Sequence, residues 1–238
     1  MFLLYYNVFI NMNELKTNYK LKKEDIKSRL NEFSRFYTEP VSWFFINKKM
    51  VFKPVNTTND ERIFEELIFC LLTANTSAIM GLKGVDSVRP VLINGTYEQI
   101  RDKLIESGYR FPNKRAEYII ESREKFKIEY DFNFKKLIDG EDPKKVREFF
   151  ADTVKGLGYK ESSHFLRNIG VFGLAILDKH IIRTMHEYGL INEVPKSLNK
   201  KRYLEIEQKY IKFADSVGID MDQLDLLLWS MKNGRILK

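Results

Sequence analysis

A single cysteine in 238 residues excludes a disulfide framework, and it equally excludes a four-cysteine iron–sulfur cluster. Cys70 lies in the apolar run LIFCLL, where it reads as a small buried hydrophobe in a reducing compartment. Histidine is nearly as scarce. His164, His180 and His186 come without further ligands at metal-site spacing, so no metal site and no cofactor are expected. Long hydrophobic runs are missing too. The opening MFLLYYNVFINMN is apolar and aromatic, but it is too short to span a bilayer and lacks the basic start and small-residue cleavage pattern of a signal peptide. No membrane partner is expected, and a cytoplasmic location is expected. Met12 precedes the hydrophilic NELKTNYK and is a candidate start, so residues 1–12 are expected to be either a non-native extension or a docking segment.

Against these absences stands an apolar fraction of 44%, enough for one core or two closely packed lobes. The formal net charge of +7 suits a polyanionic partner, although charge alone carries little weight. Apolar residues recur mostly at helical spacing, which predicts an all-α protein. Helices are expected over 23–37, 60–73, 77–85, 97–106, 113–127, 144–155, 160–169, 179–188, 199–217 and 221–233. Residues 40–56, PVSWFFINKKMVFKPVN, break this pattern with aromatic and β-branched residues between two prolines, and read as a small hairpin or an extended loop. Trp43 within it is expected to be core.

The densest chemistry is in TVKGLGYKESSHFLRNIG and the LAILDKHIIR that follows. Gly156 and Gly158 flank Leu157 in a tight turn between two apolar-periodic segments, giving helix, hairpin, helix. Free amides of such a turn and of the next helix's first turn form a concave site for an anion, and a DNA phosphate fits it. Lys160 falls in that first turn. The positive end of the helix dipole and nearby Lys155 both disfavour an ammonium there, and only the neutral amine is a nucleophile. Asp178 precedes KHIIR, where its carboxylate can cap a helix and be held ionised. Taken singly, a lysine after a GxG turn and an aspartate before a helix are ordinary; their combination, with His180 two residues beyond Asp178, is much more specific.

Gly156, Gly158, Lys160, Asp178 and His180 resemble the helix-hairpin-helix DNA glycosylase superfamily, in which a GxG hairpin is followed by a catalytic lysine and then a D-x-H at a helix start. HFLRN-x-G at 164–170, LAI-x-D at 174–178 and the short tail ending in lysine are similar to the archaeal-type 8-oxoguanine DNA glycosylase/AP lyases, the second Ogg family, across about residues 20–238. The resemblance implies a two-lobed fold with the active cleft between the lobes. One lobe would be discontinuous, from residues 13–59 and 173–238, and the other would be the middle of the chain, 60–172, ending in the hairpin motif. It implies a base-excision repair enzyme acting on damaged double-stranded DNA, and a monomer is expected.

The roles implied are a Schiff-base nucleophile for Lys160 and an electrostatic partner for Asp178, with phosphate contacts from Gly156, Gly158 and His180. Asn75 would enter the gap left by a flipped base, or else merely follow a helix cap. Lys238, through its ammonium or its carboxylate, would distinguish the oxidised base from guanine. Trp229 would stack on the flipped base, or else pack in an amphipathic helix. Two rival readings are a helix-hairpin-helix protein that only grips DNA and a related glycosylase for another damaged base.

Overall fold

The computed structural model describes residues 2–238, with side chains from Met12 onward. In chain order the elements are α1 (Phe2–Thr38), β1 (Val41–Ile46), β2 (Lys49–Pro54), α2 (Asn59–Thr73), α3 (Ala78–Val88), a 3-10 turn (Arg89–Val91), α4 (Tyr97–Glu106), α5 (Pro112–Tyr130), α6 (Phe134–Ile138), α7 (Pro143–Thr153), α8 (Tyr159–Asn168), α9 (Lys179–Glu187), α10 (Lys200–Val217) and α11 (Met221–Asn233). Helices dominate, as expected. The helix expected to begin at residue 23 begins instead at Phe2. The expectation for residues 1–12 therefore meets a helical backbone from Phe2 on, while Met1 and the side chains of residues 2–11 lie outside what is described.

Two compact units result, one from residues 1–32 and 172–238, the other from 33–171. The first break was expected at 59/60 and lies at 32/33. Packing gives the reason. β1 and β2 form the hairpin expected around NKK, in register Val41↔Pro54 to Ile46↔Lys49. Asn47 and Lys48 at its tip both have positive φ, 50° and 61°, the geometry of a two-residue turn matched to strand twist. Trp43 is core: its ring stacks on Phe36 at 4.8 Å, meets Phe33 edge-on at 5.6 Å and leans on Phe52 at 4.7 Å. The end of α1 and the hairpin therefore bury their apolar faces together with the middle of the chain.

In the 33–171 unit, α2 is the central helix. Ile63, Phe64 and the run from Leu67 to Leu72 are fully buried, so the helix is apolar nearly all round and must be enclosed on most sides. α3, α5, α6 and α8 pack on it. Phe64, Phe126, Phe132, Phe134, Phe150 and Phe165 make a continuous aromatic cluster with centroid spacings of 4.6 to 6.4 Å along its contacts. Burying each such side chain contributes about 1.5–3 kcal/mol. Some polar groups inside tie the elements together. Arg62 donates to the carbonyls of Phe36 and Val41 at 2.6 and 2.8 Å, and Asn168 donates to Glu66 at 2.7 Å, tying α8 to α2.

In the unit of the chain ends, α11 packs on α9 and α10. Its core includes Leu15, Ile26, Ile181, Ile182, Met185, Tyr203, Tyr210, Leu224 and Leu227. Lys22 of α1 donates to the carbonyl and the hydroxyl of Ser230, both at 3.1 Å, near the end of α11. Among the described residues no helix is long and apolar enough to cross a membrane.

Candidate active site

The hairpin expected at 156–158 forms between α7 and α8. Leu157 donates its amide to Val154 at 3.1 Å and buries its side chain, closing the turn. Only one of the two glycines is conformationally required. Gly156 has φ +84°, and a Cβ there would stand 2.6 Å from the Tyr118 ring and 3.0 Å from the Arg115 guanidinium. Gly158, expected to share that need, has φ −100° and ψ −173°, an extended conformation any residue adopts. Its contribution is different. It is the N-cap of α8 and, having no side chain, makes no cap hydrogen bond to the first amides of that helix. Those N–H groups, at the positive end of the dipole, therefore face outward for an anion.

Lys160 is the second residue of α8, on this open helix terminus, with its side chain about a quarter exposed. One part of its expected environment is corrected. Lys155 does not press on it: Lys155 Nζ lies 3.0 Å from Glu121 and 3.6 Å from Glu117, and hydrogen bonding to Glu121 raises its own pKa. Beside Lys160 stands a carboxylate, Glu161 Oε1 at 3.2 Å, rather than a second ammonium. Glu161 also lines a cavity of about 470 Å³ together with Gly156, Tyr118, Lys114, Phe111 and Asn75.

Asn75 reaches that cavity from the other side. α2 ends at Thr73, Ala74 is the C-cap in extended geometry, and Asn75 follows with φ +63° and an exposed side chain. The left-handed conformation suits asparagine and turns its amide outward. Arg115, which sequence reasoning passed over, holds this corner: one guanidinium nitrogen donates to Ala74 O at 3.0 Å while another lies beneath Gly156. The hairpin and Asn75 are thus fastened to the same face of α5.

Asp178 belongs to the other unit. It caps α9 as expected, Oδ1 accepting from the amides of His180 and Ile181, both at 2.8 Å. Among the described residues Oδ2 accepts no hydrogen bond, so one oxygen is committed to holding the group and the other stays available. The segment leading to it, Leu174–Leu177, is buried without belonging to a helix or a strand. His180, one residue into α9, sets its ring edge-to-face against Trp229 of α11, centroids 4.8 Å apart. Sequence reasoning gave these two residues separate tasks; the structure makes them one pair. Trp229 is partly exposed, not enclosed like its neighbours Leu227 and Ser230. Beyond α11, Gly234 takes φ +70° as the C-cap and the tail leads to Lys238, which is only 8% exposed. Its side chain is therefore not a solvated surface charge. Among the described residues no group of histidine, cysteine and carboxylate side chains could hold a metal ion.

The 33–171 unit thus carries an amine on a helix terminus without a side-chain cap, and the unit of the chain ends carries a held carboxylate with a spare oxygen, a partly open indole and a buried lysine. The family model described as 8-oxoguanine DNA glycosylase matches residues 46–219. An 8-oxoguanine DNA glycosylase/AP lyase of Korarchaeum cryptofilum is 43% identical over 180 residues, covering 76% of this chain and 84% of the relative. The crystal structure of the 8-oxoguanine DNA glycosylase of Thermotoga maritima superposes with a TM-score of 0.81 at 37% identity, covering 97% of this chain and all of that one. The Methanocaldococcus jannaschii 8-oxoguanine glycosylase/lyase, in complex with a 15mer DNA containing 8-oxoguanine, superposes with a TM-score of 0.78 at 34% identity, over 94% of this chain and 99% of that one.

Proposed function

The chain belongs to the helix-hairpin-helix family of 8-oxoguanine DNA glycosylases, and on that premise we propose that it removes 8-oxoguanine from double-stranded DNA and then nicks the strand 3′ to the abasic site. The observation that carries this reading is the placement of Lys160 on a helix terminus that no side chain caps, immediately after the hairpin. A base within the duplex is out of reach of that amine, so the nucleotide has to be flipped out, at a cost of a few kcal/mol in stacking and pairing. The open amides of α8 and His180 grip phosphates and keep the strand in place, and Asn75 occupies part of the vacated space.

Breaking the bond between C1′ and the base sends its electrons to the departing purine and leaves positive charge on the sugar. The Asp178 carboxylate stabilises that charge through its uncommitted Oδ2. Neutral Lys160 Nζ forms a bond to C1′, the ring oxygen departs as a hydroxyl, and a protonated imine results. The imine acidifies the proton on C2′; its removal forms the C2′–C3′ double bond and expels the 3′ phosphate. Trp229 stacks on the flipped purine, and Lys238 reads the features that separate it from guanine, a C8 carbonyl and a protonated N7.

Borohydride trapping on a duplex with one 8-oxoguanine tests this. A covalent complex is expected with the wild type and none with Lys160→Gln, whose DNA affinity stays near normal. DNA binding with no wild-type adduct would sink the lysine mechanism for this lesion.

A further inference from the structure

The segment that delivers Asp178 presents a physical problem. Leu174, Ala175, Ile176 and Leu177 are all buried, yet they pair with no strand, and buried backbone amides and carbonyls must find partners. α10 supplies them with side chains. The Tyr203 hydroxyl donates to Ala175 O at 2.6 Å and accepts from the amide of Leu177 at 3.3 Å, while Glu207 Oε1 accepts from the amide of Ala175 at 3.1 Å. Tyr203 and Glu207 are one helical turn apart and so share a face of α10; they are 2% and 1% exposed.

We propose that Tyr203 and Glu207 are positioning residues for base excision: together they act as a side-chain substitute for a neighbouring strand and fix the extended stretch that ends at Asp178. The inference rests on the reading of Asp178 as the group that stabilises the sugar cation. The clamp grips residues 175 and 177, and the very next residue bears the carboxylate. From there the chain has one tight closure, Asp178 N–H to Ile176 O at 2.9 Å, before the cap on α9 takes over. Asp178 is thereby held on both sides, by α10 upstream and by its own helix downstream. Loosening the upstream hold leaves the acid on its helix but lets Oδ2 wander from the place where charge develops, and an error of about 1 Å at such a group costs on the order of a hundredfold in rate.

The distinguishing measurement compares two reactions of the full chain. Excision of 8-oxoguanine needs the acid to assist departure of the base; nicking at a preformed abasic site involves no departing base. Tyr203→Phe keeps the ring and removes both hydroxyl bonds. Its single-turnover excision is expected to slow by about tenfold or more, with abasic-site nicking and DNA affinity within about threefold of wild type. Equal losses in both reactions, or unchanged excision, overturn the proposal. If Tyr203→Phe does not fold, the Glu207 pair decides: Glu207→Gln keeps an acceptor for the Ala175 amide and should excise near the wild-type rate, whereas Glu207→Leu should show the selective loss. Asp178→Asn run alongside separates the two layers. Normal excision by Asp178→Asn would remove the acid reading and the clamp with it; loss there with normal excision by Tyr203→Phe would remove the clamp alone.

Discussion

Lys160 and Asp178 both stand at the start of a helix, and the two helix starts are built in opposite ways. α8 begins on a glycine with no side-chain cap, leaving its amides outward; α9 begins on Asp178, whose own oxygen takes two of those amides. An open terminus binds an anion brought by something else, whereas a closed one immobilises the anion it already has. The supports differ as well. The hairpin's path follows from Gly156 and a turn closed between Val154 and Leu157, all within a few residues. The path to Asp178 depends on Tyr203 and Glu207, 28 and 32 residues away from Ala175. The same position on a helix can therefore leave amides open to an outside anion or fix an anion of the chain's own, according to whether the N-cap side chain is missing or present.

The largest effect that breaks this comparison is expected at Gly156. Valine there meets both a positive φ and the Tyr118 ring at 2.6 Å, so Gly156→Val should cost about 2–4 kcal/mol in urea unfolding and lose DNA binding. Gly158→Ala is the matched control. With φ −100° and its closest neighbour at 3.4 Å, it should cost no more than about 1 kcal/mol, the ordinary penalty for alanine at an N-cap. Similar losses in both variants would mean that the hairpin tolerates no side chain anywhere.

Next in size is a substitution that converts one terminus into the other. Gly158→Asp gives α8 the cap that α9 has, adding a few tenths of a kcal/mol to stability while placing a second carboxylate near Glu161 and occupying the amides. DNA affinity should fall by about tenfold at low salt, an effect of about 1.4 kcal/mol. Unchanged affinity in a binding titration would show that phosphates do not use this terminus.

The contrast also explains what could be read from the sequence. Gly156, Lys160 and Asp178 were legible because turns and caps are local; each needs only neighbours within about four residues. Arg115, Tyr203 and Glu207 were not, since nothing in a one-dimensional pattern says which backbone group a buried polar side chain will meet in space. The pairing of His180 with Trp229 was hidden for the same reason, though both residues had been singled out. α6 escaped because five residues are too few to show a period, and the boundary at 32/33 escaped because it is drawn by Trp43 packing on Phe33 and Phe36. Gly158 shows the reverse error. A GxG pattern suggests two positive-φ residues, whereas the second glycine is there for the side chain it lacks.

A smaller effect separates holding from chemistry at Asp178 itself. Asp178→Ala removes the cap of α9 and should cost about 1 kcal/mol; Asp178→Asn keeps an accepting oxygen and should cost only a few tenths. Both should lose excision alike, because the charge is gone in each. If asparagine retained activity in single-turnover assays, the cap and not the charge would be the contribution of this residue.

The smallest effect concerns alkaline pH and sets the two units against each other. Tyr188 directly follows α9, and burial, reinforced by the charges of Glu14 and Glu187, pushes its phenol up to about 12. Tyr37, in the other unit, is raised further by burial and its bond to Asp139. A folded pKa above the unfolded value of about 10 means that the folded chain keeps the proton longer. The stabilisation from Tyr188 is then fully present below about pH 10 and is lost as the pH climbs toward 12, while that from Tyr37 persists to higher pH. Of the two contributions, that of Tyr188, in the unit holding Asp178, should consequently fade first in alkali. Urea midpoints of wild type and Tyr188→Phe should differ by a constant amount below about pH 9 and converge on the way to about pH 11, the phenylalanine variant showing the flatter slope. Parallel slopes would mean that the phenol is as easily ionised in the fold as in the unfolded chain, and that the region after α9 is wetter than its burial implies.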